Sequence, residues 1–320
     1  MSLAKDKKDF LYWAHLLYER GLVVGKSGNM SARTGGDHLL LTVTNCYLGM
    51  LTASQIAVVD SDGRVIQGIK SCKLTSENDL HLGIMNKFPE AKAVIHAHPL
   101  QTLAFFHYFP KLNIFSFESR FNLGKVPVLP QSTPTVTDIN PVLRALENNN
   151  IVILKDHGVV AMGDDFASAF ALIELLEEQA KINLILRQKS IPVRFLADKG
   201  KPAMKLKLFS EEHLTKLKRV LDTDAQLQGL VKKYRFKTAL TIRNESSREE
   251  VFFSFLTGET KDLVISGQEA ALLRLFNGEM DPFAAYAQKK IGFQAEFLKI
   301  SKWYPVVARI FELWQKVPVK

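Results

Sequence analysis

Residues 93–99 read "AVIHAHP": an apolar run carrying His96 and His98 and ending at a proline. In a strand, residues two apart project to the same face, so both imidazoles point one way with Ala97 turned opposite. Two imidazoles on one face can serve one metal ion. Taken alone, the pair reads more readily as strand histidines whose nitrogens are satisfied in a core. His157 adds weight to the metal reading. It stands at a break between the apolar runs "IVIL" and "VVAM", just before Gly158, where a strand end can face a pocket. Three histidines leave one coordination position open, the arrangement of a catalytic rather than a structural zinc site. The open position can polarise a carbonyl or hydroxyl oxygen. Glu77, in "LTSEN", offers a base, although taken alone an acid at a helix start is more readily read as stabilised by the helix dipole.

These residues need elements to hold them. "KKDFLYWAHLLYERGL" predicts an opening helix ending near Gly21, and "HLLLTVT" and "IAVVD" predict strands. "TSENDLHLGIMNKF" predicts a helix with Thr75 or Ser76 near its N-cap. "AKAVIHAH" predicts a strand, "DINPVLRALENNN" a helix that Asp138 caps, and "IVILKDHGVVAMG" a strand, a break and a strand. "DDFASAFALIELLEEQAKINLILRQK" predicts a long amphipathic helix. Composition changes after it. Residues 190–210 are lysine-rich and interrupted by Pro192, Gly200 and Pro202. The expected organisation is a domain over 1–195, a linker over 196–209 and an α+β domain over 210–320. In the last, a helix is expected near 211–234 and a strand over 291–301.

A chain of 320 residues with 47% hydrophobic and 23% charged content is an ordinary globular protein, long enough for two cores. "MSLAKDKKDF" does not resemble a secretory signal, and no apolar run suffices to span a bilayer. Two cysteines without a CxxC pair suggest reduced thiols, so a cytoplasmic location is expected. The net charge of +9 is concentrated late: from residue 196 onward there are 22 Lys/Arg against 15 Asp/Glu. No nucleic-acid motif accompanies that surplus, and nucleic acid is not an expected partner.

The order of "GNMSAR" (28–33), "LTVTN" (41–45), "LTSENDLHLGIM" (74–85), "AVIHAHP" (93–99) and "LKDHGVVAMG" (154–163) resembles the class II aldolase/adducin family over roughly residues 5–190. The resemblance implies a three-layer α/β/α domain with a mainly antiparallel sheet. It implies Zn2+, or another divalent metal such as Mn2+ or Co2+, on His96, His98 and His157, with Glu77 as the general acid/base. It implies a phosphate pocket at Asn29, Thr44, Asn45, Thr75 and Ser76. It also implies a homo-oligomer, usually a tetramer. The expected activity is aldolase cleavage of a small phosphorylated sugar or hydroxy-carbonyl compound by metal-stabilised enediolate chemistry. Epimerisation or dehydration is the alternative within the family, and a non-catalytic scaffold is the alternative outside it. Two departures stand out: the family's "TPTG"-like turn reads "TVTN" here, and its "SSE" reads Thr75-Ser76-Glu77. Asn45 tolerates the left-handed region better than most residues, so the turn is expected to survive.

His81 follows Glu77 by one helical turn and is expected to pack rather than to ligate. His15, His38, His107 and His213 stand in no constellation. The segment "LVISGQEAALLRLFNGEMDPFAAYAQKKIGFQAEFLKIS" resembles the lipid-binding domain of sterol carrier protein type 2, which implies an α/β fold and a lipid ligand in an apolar tunnel.

Overall fold

The structure is a computed structural model. It describes residues 2–36, 38–67, 73–131, 133–188, 205–255, 263–294 and 297–320, with only the backbone at 188 and 297–302. The chain separates into two compact units, Met1–Phe195 and Leu196–Lys320.

In the first unit, helix α1 (Leu3–Glu19) buries Phe10, Ala14 and Leu17, one stripe at helical spacing. The chain leaves it through Gly21 at φ +68°, a conformation that glycine adopts without steric cost. Strands β1 (Asn29–Arg33), β2 (Leu39–Thr42), β3 (Ile56–Val59) and β4 (Val65–Gln67) form a meander. Then follow α2 (Asn78–Lys87), β5 (Ala93–Ala97), α3 (Leu100–Tyr108), α4 (Phe117–Leu123), β6 (Val128–Leu129), α5 (Asn140–Leu146), β7 (Ile151–Leu154), β8 (Gly158–Gly163) and α6 (Phe166–Gln188).

The described strands make one mixed eight-stranded sheet, ordered β4-β3-β2-β1-β5-β8-β7-β6. Every neighbouring pair is antiparallel except β6 with β7. Helix α6 packs on β5, β7 and β8, and α1, α3 and α4 pack against α6. Helix α2 lies on β1 and β5, and α5, which touches α2, lies on β7. The central strands β5 and β8 are buried at every position. Helical cover explains their continuous apolar sequence, where a half-exposed strand would alternate.

Two details position the site. First, α2 starts at Asn78, later than the N-cap chemistry of Thr75 and Ser76 predicts. Residues 73–75 stay extended and pair with 42–44: the Thr75 amide donates to the Thr42 carbonyl at 3.1 Å, and the Thr44 amide to the Lys73 carbonyl at 2.9 Å. Second, the N-cap of α3 is Pro99, which offers no side-chain cap. Glu177 on α6 caps it from a distance. Its carboxylate accepts from the amides of Gln101 and Thr102 and from the Thr102 hydroxyl, each at 2.8 Å.

The second unit contains α7 (Glu211–Thr223), α8 (Ala225–Lys233), β9 (Thr238–Asn244), β10 (Glu250–Phe255), β11 (Leu263–Gly267), α9 (Glu269–Phe276), α10 (Pro282–Ala287), β12 (Gly292–Gln294) and α11 (Phe297–Trp314). Its described strands form a sheet ordered β10-β9-β11-β12, with β9 and β11 parallel. The helix predicted near 211–234 is two helices. Asp224 breaks it and caps α8 by accepting from the Leu227 amide at 2.8 Å. The strand predicted over 291–301 ends at Gln294, and α11 takes over at Phe297. Trp303, Val306, Val307, Ile310, Phe311 and Trp314 then bury one helical face. Of the predicted linker, only residues 205–209 lie among those described. They belong to the second unit's framework: Leu206 is buried and bridges in parallel to Val319. Among the described residues no helix is long and apolar enough to cross a membrane.

Glu177→Ala removes three accepted hydrogen bonds at a buried helix start and should cost about 1–3 kcal/mol in urea unfolding. Asp224 gives a pH test. The Arg309 guanidinium, bonded to it at 2.6 and 3.1 Å, holds its carboxyl below the ordinary range. A depressed folded pKa contributes stability that is present above the unfolded value, about 4, and is lost as pH falls through the folded value. Asp224→Asn should therefore be less stable than the parent at pH 7, with the gap closing in acid.

Candidate metal centre

Strand β5 pairs with β1 on one side and β8 on the other, which places Asn29 opposite His96. The turn between β7 and β8 delivers His157 to the same place. Ring centroids are 4.8 Å apart for His96 and His98, 4.8 Å for His96 and His157, and 5.2 Å for His98 and His157. One ligand atom from each of the three lies within 4.8 Å of the others, so the triad can hold a metal ion.

Proton placement sharpens this. His96 Nδ1 lies 3.0 Å from the Val159 carbonyl oxygen. A carbonyl only accepts, so Nδ1 carries the hydrogen and Nε2 presents its lone pair. That lone pair sits 2.9 Å from His98 Nε2 and 3.2 Å from Glu77 Oε2. Glu77 Oε1 is 3.9 Å from His157 Nε2, and His157 Nδ1 is buried without a hydrogen-bond partner. Burial, then the neighbouring imidazoles, push His98 down to about 3. Burial, then His157, push His96 to about 3 as well. At neutral pH both rings are therefore in the unprotonated, ligating form. A carboxylate facing imidazole lone pairs in a buried space is an arrangement that a bound cation relieves. The donor set fits a divalent ion.

Glu77 is 3% exposed. Its Oε1 accepts from the Val136 amide at 3.3 Å and its Oε2 from Asn29 Nδ2 at 3.2 Å. The other end of the Asn29 amide, Oδ1, lies 2.5 Å from His81 Nε2, and His81 Nδ1 lies 2.7 Å from Ser31 Oγ. His81 is fully buried, as expected of a packed residue, and burial pushes it to about 3.

The five residues of the expected phosphate pocket come from three segments that the structure sets side by side. Met30 donates to Thr42 Oγ1 at 3.2 Å, and residues 42–44 pair with 73–75. Two of the five are already engaged. Asn29 spans Glu77 and His81, and Thr75, buried, accepts from the Glu77 amide at 3.4 Å. Thr44 is half-buried, and Asn45 and Ser76 are exposed. Asn45 adopts φ +59°, the left-handed conformation that its residue type tolerates.

Sequence reasoning missed four contributors: Ser31, the Val136 amide, Glu177 and His107. His107 Nδ1 lies 2.7 Å from Oδ1 of Asp156, the left-handed residue (φ +61°) that precedes His157. The Ser31 signal was present in the spacing: residues 29 and 31 share a strand face, and 81 follows the N-cap residue 77 by one turn. The others had no local signal. His15 bonds the Leu51 carbonyl at 3.0 Å and His213 is buried in the second unit. Cys72 lies outside the described residues, and burial pushes the Cys46 thiol up.

Gly158 is required by close approach. A Cβ there would stand 2.5 Å from the Ala97 carbonyl oxygen and 2.9 Å from both His96 Cε1 and His98 Cδ2. Gly158→Ala should destabilise the protein by about 1–3 kcal/mol. It should also lower divalent-ion affinity at least about tenfold, read by thermal melts and by metal titration.

A model of the Class II Aldolase and Adducin N-terminal domain matches residues 8–184. L-fuculose phosphate aldolase of Methanocaldococcus jannaschii is 36% identical over 180 residues, 56% of this chain and 96% of that protein. 3-oxo-tetronate 4-phosphate decarboxylase of Haemophilus influenzae is 35% identical over 188 residues, 57% of this chain and 87% of that protein. The crystal structure of l-fuculose-1-phosphate aldolase from Thermus thermophilus superposes with TM-score 0.52 and 26% identity, covering 63% of this chain and 100% of that one. Sugar-phosphate aldolase from Thermotoga maritima gives TM-score 0.51 and 25% identity, covering 58% and 97%. The match contains Glu77 and all three histidines and extends over more than half of the sequence: the chain belongs to the class II aldolase and adducin N-terminal domain family.

Proposed function

We propose that the protein is a divalent-metal-dependent lyase that breaks a carbon–carbon bond in a small phosphorylated sugar or hydroxy-carbonyl compound. The observation that carries this reading is the buried Glu77 carboxylate 3.2 Å from the unprotonated Nε2 of His96, within the three-histidine cluster. The names of the relatives support the substrate class, since both the aldolase and the decarboxylase act on phosphorylated compounds.

His96, His98 and His157 would hold the ion, with zinc as first candidate and manganese or cobalt as others. When bound, a divalent ion there supplies a Lewis acid toward a substrate carbonyl or hydroxyl oxygen. Glu77 does the proton work. It is walled from water and fixed by the Asn29 and Val136 donors, so its oxygens keep one position. In cleavage it returns a proton to the carbon that has lost its bond, and in condensation it removes that proton. Thr44, Asn45 and Ser76 offer hydroxyl and amide groups to a phosphate beside the start of α2, with Thr75 and Asn29 holding the pocket's inner wall.

Decarboxylation is the second reading, favoured by the Haemophilus influenzae relative; the same ion and carboxylate serve loss of carbon dioxide from a 3-oxo acid. Epimerisation and dehydration remain within reach of the same groups. A symmetric oligomer, expected as a tetramer, is checked by light scattering. The lipid ligand proposed for the second unit rests on sequence cadence and is checked by mass spectrometry of organic extracts.

Protein never exposed to chelator should carry about one divalent ion per chain, measured by elemental analysis; a small fraction of one ion per chain would overturn the metal reading. Glu77→Gln should keep substrate binding and lose turnover on the order of 10²–10⁴-fold. Retained turnover would remove Glu77 from its role. L-fuculose 1-phosphate and 3-oxo-tetronate 4-phosphate head the substrate screen, and carbon dioxide release separates decarboxylation from aldol cleavage.

A further inference from the structure

The hydrogen bonds behind Glu77 permit one assignment of protons. A carboxylate only accepts, so Asn29 must turn Nδ2 toward Glu77 Oε2, which leaves Oδ1 facing His81 Nε2 at 2.5 Å. Nε2 must therefore donate. A neutral imidazole has one N–H, so His81 Nδ1 is an acceptor, and the Ser31 hydroxyl 2.7 Å away must donate to it. Ser31 and His81 are fully buried and Glu77 nearly so, which leaves water little room to substitute for any member.

We propose that His81, held in its Nε2–H tautomer between the Asn29 Oδ1 acceptor and the Ser31 donor, is a positioning residue for Glu77 and acts through the Asn29 amide. The geometry is a match of two periods. Asn29 and Ser31 are two apart on β1, His81 is one turn into α2 from its N-cap residue Glu77, and the four side chains interlock where strand and helix start meet. Without the Ser31 donor, Nδ1 loses its partner and the ring its second anchor, so only Asn29 Oδ1 still selects the tautomer; a ring that shifts, or carries its hydrogen on Nδ1, no longer donates to the amide. Nε2 then turns a lone pair toward Asn29 Oδ1. The amide escapes that repulsion only by rotating, which sets Oδ1 against Glu77 Oε2. The carboxylate thus loses a donor, gains a repulsion and swings away from the histidine cluster. Asn29 is correspondingly less a phosphate ligand than a transmitter, with one Nδ2 hydrogen to spare.

The inference rests on the reading of the cluster as a metal site, so the test uses cobalt(II) alone, followed by its visible absorption and by titration of the full-length protein. Ser31→Ala and His81→Phe should still bind one ion per chain, with a displaced absorption band and affinity weakened about tenfold. His81→Gln places an amide N–H where Nε2 stood and should restore the band and most of the affinity. An unchanged band and affinity in both Ser31→Ala and His81→Phe would overturn the proposal. So would His81→Gln as impaired as His81→Phe, since the ring would then act only as packing. If His81→Phe does not fold, Ser31→Ala, a loss of one oxygen atom, decides. Failure of the unmodified protein to bind cobalt would overturn the metal reading, and this inference with it.

Discussion

A carboxylate sealed from water is costly unless donors and positive charge meet it, and Glu77 is 3% exposed in the middle of a protein core. Much of the first unit's local geometry answers that demand. The β1–β5 register brings Asn29 beside His96, so one strand supplies a donor where its neighbour supplies an imidazole nitrogen. The delayed start of α2 leaves Glu77 at the N-cap position, at φ −109° and ψ 25°, outside the helical backbone. A glutamate one turn later would follow the helix's own side-chain directions. The loop before α5 contributes the Val136 amide to the same carboxylate. The remaining need, for a cation, is one that a metal ion on the neighbouring imidazole cluster could satisfy.

How much of this could be read from the sequence depends on how local each cause is. The histidine pair was legible because strand periodicity is local, and His157 because a glycine follows it at a chain reversal. The left-handed Asn45 was legible because it stands where the resembled family's turn has glycine and its residue type tolerates that conformation. The bonds that position the candidate site connect residues 48 to 76 apart, as with Asn29 to Glu77 and Glu177 to Gln101 and Thr102, and leave no nearby pattern. Misplaced boundaries have the same origin. Thr75 and Ser76 have the chemistry of helix caps, yet pairing of residues 73–75 with 42–44 keeps Thr75 extended and delays the helix to Asn78. In the second unit the apolar spacing runs on through Asp224, whose carboxylate is occupied by capping α8 and by Arg309. Phe297 continues an apolar stretch that reads as strand until the spacing of Trp303 to Trp314 is weighed.

The two units differ in what their buried polar groups do. In the first, Ser31, Glu77, His81 and His96 are held in a connected set at the sheet's centre. In the second, an aromatic core occupies the interior. Phe276 stacks on Trp314 at 4.5 Å, Phe236 meets Trp303 edge-on at 5.0 Å, and the strong polar contact Asp224–Arg309 ties helix to helix at a partly exposed margin. The chemistry proposed for this chain thus rests on the first unit's polar interior, which the family match also covers.

The capping of α3 by Glu177 sets an order of events during synthesis. The strand bearing His96 and His98 leads directly into α3, but the carboxylate that completes the helix start belongs to α6, some 75 residues later in the chain. At typical ribosomal rates that interval is roughly 4–15 s. Until it closes, the exit from the histidine strand has bare amides where the finished protein has a clamp. The nascent chain passes through a stage in which its histidine-bearing strand exists without its lock, and the last helix of the unit is the one that turns it.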